Sequence, residues 1–197
     1  MTSKAEEIYG LLVMEFPEAM QSLSELSRNE QGRKDFIRSD VKAFNFDKLW
    51  NIGGGKKCKE KSPDALFCHG ETLYFIEFKE GGCDRADVRQ KIHEGILSLF
   101  QYSVSKGVAN RDSFFGIKIK YAVVKRSGAQ GEVSFLQALE RSQDVFSLKN
   151  IEGLLVKETA VRWVPDSIFK LLNKVSGGAI DRIDVVASDQ KTVVVCM

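Results

Sequence analysis

The segment from residue 62 to residue 79, SPDALFCHGETLYFIEFK, constrains the fold more than any other part of the chain. Two apolar runs lie on either side of a short polar break that contains Gly70, which is the pattern of a β-hairpin. If Gly70 and Glu71 form a two-residue loop, with glycine in the first position of a type II′ turn, His69 pairs with Thr72. The pattern therefore predicts the register of both strands.

This register places Asp64 directly opposite Glu77. Opposed side chains on one face of an antiparallel pair have Cβ atoms about 5 Å apart, so both carboxylates could bind one divalent cation. Lys79 projects from the same face as Glu77, where its ammonium group could hold a phosphate or polarise a water. Alternatively, Asp64 starts a strand and the other two form a solvated patch. The apolar residues around Glu77 favour function, since a buried unpaired charge is costly.

The spacing of Pro63-Asp64 and Glu77-Phe78-Lys79, with twelve residues between them, resembles the motif of the PD-(D/E)xK nuclease superfamily. The resemblance covers residues 44–125. It implies an α/β fold with a restriction-endonuclease-like core, in which a mixed sheet with a hairpin is flanked by helices. It also implies a metal-dependent nuclease that hydrolyses phosphodiester bonds, usually in DNA, and that is commonly a homodimer.

The resemblance also implies a role for each motif residue. Asp64 and Glu77 would bind Mg²⁺ or Mn²⁺, with the backbone carbonyl of Phe78 as a further ligand. Lys79 would orient or deprotonate the attacking water and stabilise the transition state. The rival hypothesis is a nucleic-acid-binding or assembly protein that uses the same scaffold without catalysis.

The longest predicted helix runs from residue 84 to about residue 105 and begins with an aspartate N-cap. Lys91 lies within about 60° of Val88 on the helical wheel, so it borders the core near the hairpin. Family members often place Gln or Lys here to line the active site, which makes Lys91 the catalytic candidate and Gln90 the reserve. A salt bridge from Lys91 to Asp87 is the structural alternative. The predicted buried stripe is Val88, Ile92, Ile96, Leu99 and Ser103.

The N-terminal segment predicts one helix over residues 4–16 and a second that begins at Pro17. Glu15 falls on the apolar face of the first helix, where a carboxylate needs a partner. Because nucleases of the family often contribute an acidic ligand from a helix before the hairpin, Glu15 is a candidate metal ligand. The alternative is that its side chain extends to the rim of the core.

A basic loop is predicted just before the hairpin. Residues 44–52 are typical of a strand, and Gly53-Gly54-Gly55 and a group of lysines follow. Such a loop beside Asp64 could run along a phosphate backbone, with each lysine neutralising one charge; a solvated turn is the alternative. The candidate nucleic-acid-binding residues are Lys56, Lys57, Lys59 and Lys61.

The 197 residues, 43% of them hydrophobic, are enough for a single domain with one sizeable core. We expect a nuclease-like core over residues 44–125, N-terminal helices within residues 1–40 and a C-terminal extension over residues 127–197. The net charge is only +2, so any nucleic-acid surface must be a local patch. Further strands are predicted at residues 116–125, 154–156, 159–164, 183–186 and 192–195, and helices at residues 135–141 and 165–174.

The sequence also predicts where the protein is found and the state of its cysteines. No apolar run has the length of a signal peptide or a membrane helix, so we expect a soluble, cytoplasmic protein without membrane association. The four cysteines are scattered and are expected to be reduced. A zinc site from Cys58, Cys68, His69 and Cys83 is not expected, because no CxxC or HxxxH pair is present.

Overall fold

The computed structural model describes residues 2–28, 34–49, 60–80, 84–126, 136–138, 140, 146–153 and 155–197. The fold is α/β, with a mixed six-stranded sheet flanked by helices and a separate three-stranded antiparallel sheet. Across the described ranges, no helix combines the length and the apolar character needed to cross a membrane.

Five helices and nine strands are labelled in chain order. The helices are α1 Lys4–Glu15, α2 Leu23–Leu26, α3 Arg85–Ser105, α4 Arg111–Phe115 and α5 Pro165–Val175. The strands are β1 Met20–Ser22, β2 Ile37–Arg38, β3 Lys42–Asn45, β4 Ala65–His69, β5 Thr72–Lys79, β6 Lys118–Lys125, β7 Glu158–Arg162, β8 Arg182–Val186 and β9 Thr192–Cys196.

The large sheet has the strand order β1-β3-β4-β5-β6-β7. Its first four strands are antiparallel, whereas β6 and β7 run parallel to β5. The helices α3 and α4 lie between β5 and β6 in the chain, as a parallel connection requires. Because β1 and β7 belong to this sheet, the sheet extends beyond residues 44–125 at both ends.

The predicted hairpin register is confirmed. His69 pairs with Thr72, and the ladder continues to the pair Ala65 and Ile76. Gly70 has a φ of 56°, a left-handed value that suits glycine in the first loop position. One further step along this register places Asp64 opposite Glu77, as the sequence predicts.

Alternation along β5 directs its side chains into two cores. Leu73 and Phe75 pack on one face with α1 and α3. Tyr74 and Ile76 pack on the other face with α5 and the small sheet. Glu77 and Lys79 continue the first series, so they project toward the side of the sheet that α3 covers.

The prediction for α3 is confirmed, including its aspartate N-cap, whose side chain accepts a hydrogen bond from the N–H of Ala86. Every residue of the predicted stripe is buried. The predicted strand over residues 183–186 corresponds to β8, and the one over residues 192–195 corresponds to β9. The helix predicted over residues 165–174 is α5.

Three predicted elements differ in the structure. Instead of a second helix from Pro17, a 3-10 turn over Pro17–Ala19 leads into β1, which pairs with β3, and then into the short helix α2. The strand expected over residues 44–52 is β3 and ends at Asn45, whose side chain caps a 3-10 turn over Phe46–Lys48. At residues 154–156, the described part shows only an isolated bridge between Glu152 and Val156.

Candidate functional site

The candidate site lies where the start of β4, the end of β5 and the N-terminal half of α3 meet. Asp64 directly precedes β4, and its carbonyl accepts a hydrogen bond from the N–H of Phe46 at 3.3 Å. A Cβ added to Gly95 would lie 2.7 Å from Cδ of Pro63. Glycine at this position therefore allows α3 to approach the hairpin beside Asp64.

Lys91 joins the two carboxylates. Its Nζ lies 2.7 Å from Oε1 of Glu77 and 3.6 Å from Oδ1 of Asp64. The Glu77 side chain is 1% exposed, whereas those of Asp64 and Lys91 are about one-fifth exposed. Because one ammonium group contacts both carboxylates, the two acidic side chains share a face of the sheet, as the register predicts.

Lys79 extends this charge network. Its Nζ lies 2.9 Å from Oε1 of Glu77 and 2.9 Å from Oδ2 of Asp87. The other oxygen of Asp87 lies 2.9 Å from Nζ of Lys61. Acidic and basic groups therefore alternate along one series of contacts, which runs through Asp64, Lys91, Glu77, Lys79, Asp87 and Lys61. Lys61 is the most exposed lysine of this series, so it lies on the solvent side of the site.

The charge network keeps both central lysines protonated. Burial alone would lower the pKa of Lys79, but its contacts with Glu77 and Asp87 outweigh burial and raise this pKa. Burial likewise opposes the charge of Lys91, and the carboxylates of Asp64 and Glu77 raise the pKa of Lys91. An ammonium ion cannot accept a proton, so this arrangement favours an orienting role for Lys79 over a deprotonating one.

Asp64 is held by the strand that faces it. Its Oδ2 accepts a hydrogen bond from the N–H of Phe78 at 2.6 Å. Partial burial, followed by repulsion from the Glu77 carboxylate, raises the pKa of Asp64 to about 8. Burial and the repulsion from Glu77 therefore outweigh the Lys91 ammonium group and the hydrogen bond from Phe78, which both lower the pKa of Asp64.

The donor atoms at the site fit a hard divalent cation. Oε2 of Glu77 is buried and has no hydrogen-bond partner in the structure, and the Glu77 carboxylate is near enough to the partly exposed Asp64 carboxylate for the two to repel each other. The N–H and C=O of a strand residue point the same way, so the Phe78 carbonyl also faces the β4 side. Carboxylate and carbonyl oxygens are ligands that Mg²⁺ and Mn²⁺ accept.

A third acidic ligand is not found in the described ranges. No three His, Cys, Asp or Glu side chains there form a group that could hold a metal ion. The chain's own donors at this point are thus the Asp64 and Glu77 carboxylates and the Phe78 carbonyl. A cation bound by this set would complete its coordination with water or with substrate oxygens.

The structure corrects the expectation for Glu15. Its Oε1 lies 2.7 Å from Nζ of Lys106, and its Oε2 accepts a hydrogen bond from the hydroxyl of Tyr102 at 3.2 Å. Tyr102 lies about 16 Å farther along α3 than Lys91 at the rise of an α-helix. Glu15 therefore lies at the rim of the core, at the other end of α3, and does not join the candidate site.

Of the four lysines predicted to bind nucleic acid, only Lys61 belongs to the described residues. Lys56, Lys57 and Lys59 lie outside the described residues. Lys61 is brought to the site through Asp87, and its backbone N–H donates to Glu94 at 2.6 Å. The reserve candidate Gln90 instead donates a hydrogen bond to Glu94 at 2.6 Å.

Asp87 belongs to the site, although the sequence indicated it only as a possible salt-bridge partner of Lys91. Helical spacing favours that pair, but Asp87 bonds to Lys79 and Lys61 because the hairpin brings both lysines to the first turn of α3. Hydrogen bonding to Lys61, followed by the contacts with Lys79, lowers the pKa of Asp87 to about 2 despite partial burial. Helical spacing could not predict these contacts, because Lys61 and Lys79 lie outside α3.

Two further neighbours come from β6 and from the segment after α2. Lys125 pairs with Lys79 across the parallel ladder, and its Nζ lies 5.2 Å from the ring centroid of Trp163. A cavity of about 250 Å³ is lined by Asp64 and Phe78 together with Leu26, Ser27, Arg28 and Glu80. Lys125 therefore lies next to Lys79 in the sheet, and Arg28 shares a cavity with Asp64.

The comparisons with known proteins find no match: neither a protein-family model, nor a curated protein, nor a solved structure is similar to this chain.

Proposed function

We propose that the chain is a metal-dependent nuclease with a restriction-endonuclease-like core. One observation carries this proposal: the carboxylates of Asp64 and Glu77, from facing strands, converge on the same face beside Lys79 and Lys91. The buried Oε2 of Glu77, which has no hydrogen-bond partner in the structure, adds support, because a buried carboxylate oxygen without a partner is costly and a cation would satisfy it. The resemblance of the motif to PD-(D/E)xK nucleases points to the same chemistry.

The role that we propose for each residue follows from where its side chain or carbonyl lies in the site. Asp64, Glu77 and the Phe78 carbonyl would hold Mg²⁺ or Mn²⁺, and a bound cation would supply a Lewis acid for water and phosphate. The ammonium group of Lys79 would orient the attacking water and stabilise negative charge on the phosphate in the transition state. Lys91 would hold the Glu77 carboxylate in place from α3.

The remaining positive groups suit a polyanionic substrate. Lys61 shares Asp87 with Lys79, Lys125 lies next to Lys79 on β6, and Arg28 lines a cavity with Asp64. Each cation that contacts a phosphate neutralises one charge and releases a counterion. These groups form a local patch on a chain of net charge +2, and DNA is the substrate that the resemblance favours.

A second candidate function is nucleic-acid binding or assembly without catalysis. This candidate is favoured by the charge balance within the site, since Lys79 and Lys91 already pair with carboxylates. An inert protein would keep such a network for structure alone. The two hypotheses differ in one respect, because only the nuclease needs the two carboxylates to bind a divalent cation beside the Lys91 ammonium group.

The test is incubation with circular and linear, single-stranded and double-stranded DNA and RNA, in Mg²⁺, in Mn²⁺ and in chelator. The proposal expects cleavage of at least one substrate with metal, none in chelator, and loss of cleavage in Asp64→Asn. Binding without cleavage under every metal condition would support the second candidate. Cleavage that persists in Asp64→Asn would assign the activity to another site or to a contaminant.

A further inference from the structure

A cavity of about 560 Å³ lies between α5 and the strands β5, β6 and β7. It is on the opposite side of the large sheet from the candidate site. Tyr74 and Ala122 line it and pack on the α5 side, whereas Glu77 lies three residues after Tyr74 and projects from the other face. Sites for small molecules commonly have volumes of about 300–1,000 Å³. This α5 cavity is therefore large enough for a compound of that class.

Two alanines form the floor of the α5 cavity. Ala122 of β6 pairs with Ala160 of β7 in the parallel ladder, so their side chains lie next to each other on the α5 face. Longer side chains stand on both sides of this pair, because Lys120 and Glu158 precede it along the strands and Arg162 follows it. Small residues at adjacent positions therefore build the depression into the sheet.

The side chains around this floor carry an excess of positive charge. Four of them are basic and two are acidic, so the lining has a formal charge of +2. These residues are Lys120, Arg162, Lys170, Lys174, Glu140 and Glu158.

Both acidic side chains are engaged by other groups. Glu158 pairs with Lys120, and Oε1 of Glu140 accepts three hydrogen bonds at the start of α5. In the part of the chain that the structure describes, the other three basic residues of the lining form no ion pair. Lys170 and Lys174 lie one turn apart on the same face of α5. Lys174 helps to lower the pKa of Glu158, although Lys120 lowers it more.

The excess charge indicates the kind of ligand that the cavity binds. Like charges that share one cavity repel each other, and a bound anion removes this repulsion. A phosphate ester carries about −1.5 to −2 charges at pH 7 and three acceptor oxygens, and lysine and arginine bind these oxygens through charge-assisted hydrogen bonds. The alanine floor, Leu171 and the ring of Tyr74 add apolar surface for the organic part of such a ligand.

We propose that the α5 cavity is a binding site for a small organic phosphate. Arg162, Lys170 and Lys174 contact the phosphate group, and the organic part of the ligand lies on the floor formed by Ala122 and Ala160. This inference does not depend on the proposed nuclease function, because the cavity is on the other face of the sheet.

The test is calorimetric titration of the full chain with inorganic pyrophosphate in chelator, with circular dichroism to verify the fold of each variant. The wild type should show one saturable site with a Kd of about 1 mM or tighter. Arg162→Gln and Lys174→Gln should each weaken binding about fivefold or more, because each removes a charged donor. Lys191→Gln is the matched control, since the Lys191 side chain is 84% exposed and lies outside the cavity.

Three further titrations locate the site and identify its ligand. Ala160→Leu fills the floor without a change of charge and should abolish binding, and the two charge variants decide the question if this variant does not fold. Lys79→Ala, on the other face of the sheet, should bind pyrophosphate as the wild type does. Succinate, a dicarboxylate, should bind the wild type more weakly than pyrophosphate. No saturable binding at roughly 10 mM pyrophosphate, equal weakening in Lys191→Gln, lost binding in Lys79→Ala or tighter binding of succinate would overturn the proposal.

Discussion

Nζ of Lys91 lies 2.7 Å from Oε1 of Glu77, so an ammonium group from α3 contacts the carboxylate pair that we assign to a divalent cation. The lysine thereby offsets part of the repulsion between Asp64 and Glu77 when no metal is bound. Metal binding and the Lys91 contact both use the negative charge of these two carboxylates, and a bound cation would repel the Lys91 ammonium group. This competition gives the site a testable linkage between metal and stability.

Lys91→Met should lower the free energy of unfolding in chelator by about 1–3 kcal/mol, because it leaves two neighbouring carboxylates with less compensation. Mg²⁺ should then raise the melting temperature more in the variant than in the wild type. Thermal unfolding with and without metal measures both effects, and Lys91→Arg is the charge-conserving control. Equal metal responses in wild type and Lys91→Met would contradict the competition.

Lys79→Ala should reduce metal-dependent cleavage by about 10²-fold or more while leaving metal binding largely intact. The ion is assigned to the carboxylates, and the lysine to the water and the phosphate. Cleavage kinetics and calorimetric titration with Mg²⁺ separate the two roles. Lys118→Ala is the matched control, since Lys118 is an exposed β6 residue at the far end of the ladder. Full activity in Lys79→Ala would remove this residue from the mechanism.

Asp87→Asn should destabilise the protein by about 1–2 kcal/mol at neutral pH, since a lowered pKa means that folding favours the ionised form. Its folded pKa of about 2 lies below the ordinary 3.8. The contribution is therefore present above about pH 4 and is lost as the pH falls through 2. Urea unfolding in chelator between pH 7 and about pH 2.5 should show the wild type and the variant converging. Asp40→Asn, at an exposed position, is the control for the same change of side chain.

Glu15→Gln should leave Mg²⁺ binding and cleavage unchanged and lower the unfolding free energy by less than about 1 kcal/mol. The contacts that it loses are with Lys106 and Tyr102, at a partly exposed position far from the carboxylate pair. Calorimetric titration and urea unfolding report the two effects. Weaker Mg²⁺ binding in Glu15→Gln would return this residue to the metal site.

Local patterns were sufficient for the parts of the fold that depend on neighbouring residues. Gly70 and the flanking apolar runs set the hairpin register, and helical spacing identified α3 with the position of Lys91 on its border. Both signals act within one element or one tight turn. The convergence of Asp64, Glu77, Lys79 and Lys91 follows from these two elements once the chain turns back after β5.

Features that depend on distant contacts were missed. β1 exists because Met20–Ser22 pairs with Lys42–Phe44, which overrides the helical spacing of its own segment. Glu15 bonds to Tyr102, far away in the sequence, and no local pattern indicates this contact. The close approach of α3 to the hairpin likewise depends on Gly95 meeting Pro63, which no spacing rule reveals.

Asp64 and Glu77 are proposed to form a divalent-cation site that supports phosphodiester cleavage. Calorimetric titration of Mn²⁺ into wild type and Asp64→Asn, with cleavage assayed on the same samples, measures both properties of this site. We expect one saturable site in the wild type, and loss of both binding and cleavage in the variant. If the wild type binds no Mn²⁺, or if Asp64→Asn binds it equally well, Asp64 and Glu77 do not form such a site.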